Sequence, residues 1–257
     1  MTDAQNEQRD ERPDENDEDV APPPHDSSPL TTDVDPTFVE PDAESFIPSP
    51  KRLPTAFQKP PSPGSGMLGM VVAAMMLLLS TSSWSGAITA PLAATFSDLK
   101  TPHLWWHFVT ALFAHGDIDH WMHNAPPFLF FAWLLRGYFG RLAFPVLAFL
   151  GGIVSNVWTV WLYGDATQLV GASGMVYSMV ASWLVLYVTF DKTRNHSHRI
   201  MRAVGFALIL FFPKTFEPRV SYSAHLTGFA FGAVGAFMLI PIFRRLAPPG
   251  TLPDAAH

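Results

Sequence analysis

The chain has 257 residues, 48% of them hydrophobic and 15% charged, with no cysteine and a formal net charge of -6. That charge is unevenly divided: residues 1–66 hold 15 acids and 5 bases, a balance of -10, whereas the other 191 residues hold 7 acids and 11 bases, a balance of +4. The missing cysteines exclude disulfides, thiolate metal sites and cysteine nucleophiles, and the opposed charges divide the chain into two regions of different chemistry.

Residues 1–66, with "DERPDENDED" and repeated Pro, Ser and Thr, hold too few large apolar side chains to offset the entropy of ordering. They read as a disordered, acidic, Pro-rich tail. The start lacks a basic region followed by an apolar stretch, so no secretory signal is expected.

Spanning the hydrocarbon takes about 20 apolar residues in a helix. Six windows approach that length, at roughly 67–89, 121–139, 142–163, 171–190, 199–214 and 223–243. The fifth is short and carries Arg199 and Arg202 at one end, where their stems could snorkel to the interface. The expected architecture is therefore all-α and polytopic, a six-helix membrane domain over residues 67–243 with a short tail over 244–257.

Short cytoplasmic loops are enriched in Lys and Arg. Lys51, Arg52 and Lys59 precede the first span, and Arg136 and Arg141 flank the turn after the second. Lys192, Arg194, Arg199 and Arg202 fill the turn after the fourth, and Arg244 and Arg245 follow the sixth. All fall on one side if both termini are cytoplasmic, and a bacterial inner membrane is the expected location. Spans two, four and six then run in the same direction, with their first residues together at the outer face. Those residues are "HGDIDHWMHN", "GASGMVY" and "SYSAHLTG". The loop before them carries "HLWWHFVTALFAH", an amphipathic stretch suited to the interface.

Polar groups at membrane depth are costly and tend to pair with one another or do chemistry. A serine becomes a nucleophile when a base takes its proton, and histidine is the commonest such base near neutral pH. Ser173 and His225 form a candidate dyad. Ser173 opens its helix, where free backbone N–H groups favour a developing negative oxygen. His120 and Asn124, four residues apart on one helical face, can add donors at the same point. Tyr177 lies one turn beyond Ser173, where its ring could pack on His225. Gly228, Gly232 and Gly235 give the sixth span a small-residue side for close helix approach.

Each feature also has a structural reading. Gly-x-Ser-Gly can be a helix start, the glycines are packing residues whatever the function, and His107, His115 and His123 read as structural or solvated, with His115 a candidate brace before span two. No spacing resembles H-E-x-x-H, so no metal is expected. The convergence of three sparse motifs on spans that must adjoin favours chemistry. Pro126 and Pro127 imply that the second span begins near Asn124 or bends there.

These motifs resemble the rhomboid intramembrane serine proteases. His115, His120 and Asn124 fit H-x-x-x-x-H-x-x-x-N; Gly171, Ser173 and Gly174 fit G-x-S-G, with Tyr177 at the expected offset. Ala224, His225, Gly228 and Gly232 fit A-H-x-x-G-x-x-x-G. The resemblance covers about residues 67–243 and implies a six-helix core without cofactors. It implies that Ser173 is the nucleophile and His225 the general base, with His120, Asn124 and the Ser173 N–H at the oxyanion site. It also implies a substrate that is another membrane protein, cut in or near its transmembrane segment, and no nucleic-acid partner. The oligomeric state is left open. Two departures stand out: Trp106-His107 replaces a common Trp-Arg, and only Arg136 and Arg141 remain of a glutamate-arginine pattern at the inner end of span two. The rival readings are a proteolytically inactive rhomboid-like protein that binds membrane clients, and a transporter or channel.

Overall fold

In the computed structural model the residues described are 57, 60–88, 91–191, 195–211 and 221–246. Most of the acidic tail and the 244–257 tail expected from the sequence therefore lie outside them. The described part is predominantly helical: α1 (Met67–Trp84), α2 (Phe96–Lys100), α3 (His107–Thr110), α4 (Ile118–Arg141), α5 (Ala148–Tyr163), α6 (Ser173–Phe190), α7 (His196–Phe211) and α8 (Tyr222–Leu246). A two-residue ladder pairs β1 (Ala94–Thr95) with β2 (Gln168–Leu169), antiparallel with Ala94 opposite Leu169.

Four helical segments are long and apolar enough to cross a membrane: Pro63–Trp84, Ile118–Tyr163, Ser173–Phe190 and Tyr222–Arg245. The second runs 46 residues, about 69 Å at the rise of an α-helix and more than twice the hydrocarbon thickness. It is broken where Gly140 takes φ 74 and Phe144 takes an extended conformation. Only glycine enters the first conformation without a steric penalty, so the chain leaves the helix there. The expected fifth span coincides with α7, whose 16 residues reach only about 24 Å.

The senses of α4, α5 and α8 follow from their contacts along α6. His120 lies against Gly171 at one end of α4, and Phe139 lies 5.6 Å from Phe190 at the other, so α4 runs parallel to α6. On α5 the order is reversed, with Gly151 against Ser178 and Ser155 against Gly174. Helix α8 is parallel again, with Gly228 on the Gly174 backbone and Gly232 on that of Ser178. Spans two, four and six thus begin at the same end of the bundle, as the motif positions require.

Large buried side chains, among them Phe128, Phe131, Leu135, Phe144, Met175, Met179 and Phe190, fill the centre around α6. Met67, Met70, Val71 and Leu78 on α1, with Val234, Phe237 and Met238 on α8, remain exposed, as suits surfaces facing lipid tails.

Three local expectations change. The first helix ends at Trp84 rather than 89. Arg199 does not snorkel: it is 6% exposed and donates to the carbonyls of Val188 and Asp191. It thereby satisfies carbonyls at the end of α6 that have no helical donor. The second span begins at Ile118, not at Asn124, because Asp117 caps it by accepting from the His120 N–H at 2.7 Å. Its dihedrals stay helical across Pro126 and Pro127.

Candidate active site

Ser173 is the first residue of α6. The approach to it is fixed from two sides: β2 pairs with β1 in the preceding loop, and the Gly171 N–H donates to the Ala111 carbonyl at 2.8 Å. Gly171 then turns the chain at φ +116, and a Cβ there would lie 2.7 Å from Cε1 and Nε2 of His120. Glycine is needed for both reasons, and its lack of a side chain lets the His120 imidazole lie against the turn that presents Ser173.

His225 sits in the first turn of α8 and is 5% exposed. Its ring stacks on Tyr177, with centroids 4.1 Å apart and planes inclined by 19°. Tyr177 follows Ser173 by one turn on the same face of α6. The serine and the histidine accordingly belong to one α6–α8 interface. That interface is close because Gly228 lies over Gly174: a Cβ on Gly228 would be 2.1 Å from the Gly174 carbonyl oxygen. Gly235 behaves differently from the other two glycines, meeting Leu147 instead of α6.

Asn124 is buried and donates from Nδ2 to the His120 carbonyl at 2.8 Å. His115 is buried in the loop before α4, its ring edge-on to His120 at 5.1 Å. Its Nδ1 lies 3.3 Å from the Ser80 hydroxyl, and its carbonyl accepts from Trp84 Nε1 at 2.7 Å. Burial, and secondarily the neighbouring His120, push its pKa down to about 4 against the weaker pull of the Phe113 carbonyl and Asp117. His115 therefore braces α1 against this loop as a neutral ring. His123 is exposed on the other side of α4, with Nδ1 2.7 Å from the Asp119 carbonyl.

His107 is not solvated. Both it and Asp98 are buried, joined Nδ1 to Oδ1 at 2.9 Å. Burial alone would raise the Asp98 pKa, but hydrogen bonds from His107 and from the N–H and hydroxyl of Thr95 hold it below its usual value. This pair, together with the Thr95–Asp98 capping box, fixes the loop beside the site where the expected Trp-Arg is absent.

Sequence reasoning concentrated on spans two, four and six and missed polar residues of the third. Ser155 donates to the Ala224 carbonyl at 2.7 Å, and Asn156 donates to that of Phe108 at 3.0 Å. Adjacent polar residues inside the apolar "GGIVSNVWTV" were the available signal. An apolar cavity of about 360 Å³ lies elsewhere, between α4, α6 and α7, lined in part by Leu134, Trp183 and Arg202. Among the described residues no three His, Asp or Glu side chains gather as a metal site would need.

Comparison with known proteins shows the family. The family model described as "Rhomboid domain" matches residues 102–242. A Bacillus subtilis protein named "Putative rhomboid protease YdcA" is 26% identical over 137 residues. The match takes in 52% of this chain and 65% of the relative, so the chain spans less than two thirds of the relative's length. With a family match over more than half of its residues and apolar helices long enough to cross a bilayer, the chain is an integral membrane protein and belongs to the rhomboid family.

Proposed function

We propose that this protein is an intramembrane serine endopeptidase that hydrolyses a peptide bond in or near the transmembrane segment of another membrane protein. The observation that carries this reading is the gathering, at one end of the bundle, of the Ser173 helix start, the His120 ring against Gly171 and the His225 ring stacked on Tyr177.

In the proposed mechanism Ser173 attacks the substrate carbonyl while His225 takes its proton. The protonated imidazole returns that proton to the leaving amine, which leaves the acyl group on Ser173, and water, deprotonated in turn by His225, hydrolyses that ester to free the acid product and the serine. The developing oxyanion draws on the Ser173 N–H, which has no donor role inside the helix, and on His120 and Asn124. The stack on Tyr177 and the packing of α8 orient the imidazole. The peptide to be cut must unwind locally to expose its carbonyl, which favours small or helix-breaking residues near the bond. The distribution of Lys and Arg supports an orientation with both termini cytoplasmic and the site toward the outer face of a bacterial inner membrane.

The test uses purified protein in detergent with a single-span substrate, beside Ser173→Ala and His225→Ala. Cleavage should fall by roughly a thousandfold or more in both variants, and a fluorophosphonate should label Ser173 only when His225 is present. Equal cleavage by all three proteins overturns the assignment, whereas client binding without cleavage would favour an inactive relative. Because the chain has no cysteine, single introduced cysteines at Gly64 and Asp117, probed with an impermeant maleimide, report the orientation directly.

A further inference from the structure

Ser155 is 0% exposed and lies where three helices meet at the site end of the bundle. Its hydroxyl donates to the Ala224 carbonyl at 2.7 Å. The same side chain fills the space beside Gly174: a Cβ there would lie 2.2 Å from Ser155 Oγ and 2.7 Å from its Cβ, and 3.4 Å from the Ala224 carbonyl oxygen. One small residue of α5 thus touches the neighbour of Ser173 and bonds to the neighbour of His225. One turn along α5, Thr159 Oγ1 lies 3.5 Å from the Ser223 hydroxyl, so α5 meets the first turn of α8 at two successive levels.

We propose that Ser155 is a positioning residue that sets the rotation of the first turn of α8 against α6, and with it the approach of the His225 imidazole to the Ser173 hydroxyl. The inference rests on the proteolytic reading above. A carbonyl in an α-helix already accepts from the N–H four residues on, here that of Gly228, and Ala224 uses its second lone pair for Ser155. Such a bond steers the turn that carries it. Orientation of the imidazole decides whether it can take the serine's proton. The competing account treats Ser155 as ordinary polar glue between membrane helices. The two accounts differ in what they move: glue changes stability, whereas positioning changes the chemical step.

Ser182 supplies the comparison. Its hydroxyl shares its donation between the Ser178 carbonyl of its own helix at 2.8 Å and, across the same α6–α8 interface, the Gly232 carbonyl at 3.1 Å, more than two turns from Ser173. Full-length wild type, Ser155→Ala, Ser155→Thr and Ser182→Ala are compared for kcat and KM on the single-span substrate, for the rate of Ser173 phosphonylation, and for thermal unfolding. Ser155→Ala should lower kcat and phosphonylation together by about ten- to a hundredfold, the range set by displacements approaching 1 Å, with KM within about threefold. Ser182→Ala should lower the unfolding temperature with kcat unchanged, and Ser155→Thr, which keeps the hydroxyl, should recover most of the loss. If Ser155→Ala retains wild-type kcat and phosphonylation, or if its losses only track the folded fraction, the proposal is overturned. A wild type that neither cleaves nor is labelled at Ser173 would instead refute the proteolytic reading. The two failures are therefore distinguishable.

Discussion

Substituting Gly228 by alanine tests whether the close contact between α6 and α8 sets the geometry of the proposed Ser173–His225 dyad. The added Cβ would lie 2.1 Å from the Gly174 carbonyl oxygen, 2.9 Å from its carbonyl carbon and 3.1 Å from its Cα. All three are backbone atoms, so no side chain can turn aside. Real Cβ contacts essentially never fall below 3.0 Å, and the helices must separate by about 0.9 Å at that level. Overpacking of this kind costs about 1–3 kcal/mol, offset in part by the roughly 1 kcal/mol that alanine gains over glycine within a helix. Net destabilisation should therefore be modest, about 1 kcal/mol. The effect on rate should be larger, because Gly228 lies one turn from His225 and Gly174 follows Ser173. A displacement near 1 Å between reacting groups lowers rate by about a hundredfold. Turnover of a single-span substrate at a temperature where the variant stays folded measures this directly. Gly205→Ala is the control, since nothing lies within 4 Å of a Cβ at that position; it should leave turnover unchanged and not reduce stability. A Gly228→Ala protein with wild-type turnover would refute the claim that this contact fixes the site.

Three further outcomes follow from the same structure. His115 has a folded pKa of about 4 against an ordinary value of 6.5, so the unfolded chain binds more protons between those values; its contribution should be constant above about pH 6.5, fall as pH drops toward 4 and then level off. Unfolding temperature against pH should show that loss, and His115→Asn should flatten it. Asp98→Ala leaves a buried His107 ring nitrogen without its hydrogen bond and should destabilise by about 1–3 kcal/mol, read by denaturant titration, with most of that loss absent when His107→Ala is already in place. Pro126→Ala restores a donor for the Met122 carbonyl in a continuous helix and should raise stability by about 1–3 kcal/mol; a loss instead would mean that the ring shapes packing rather than interrupting it.

Much of this protein is legible along the chain because bilayers impose local rules. Apolar length marks a span whatever its neighbours, and sparse polar residues at span ends stand out against that background. Hence the helices of α1, α4, α5, α6 and α8, and the grouping of His120, Ser173, Tyr177 and His225, could be anticipated from spacing alone. The relation of Tyr177 to His225 followed from helical periodicity once two spans were taken as neighbours.

Contacts between helices depend on rotation and register, which no local pattern specifies. Only the tertiary structure separates Gly228 and Gly232, which lie on the α6 backbone, from Gly235, which meets Leu147, although all three share a helical spacing. It likewise buries Arg199 on the last carbonyls of α6, pairs His107 with Asp98, and brings Ser155 from a third helix between the neighbours of Ser173 and His225. The physical reason is the same in each case: a polar group inside a bundle takes whichever partner the packing delivers, and that partner can stand 69 residues away in sequence.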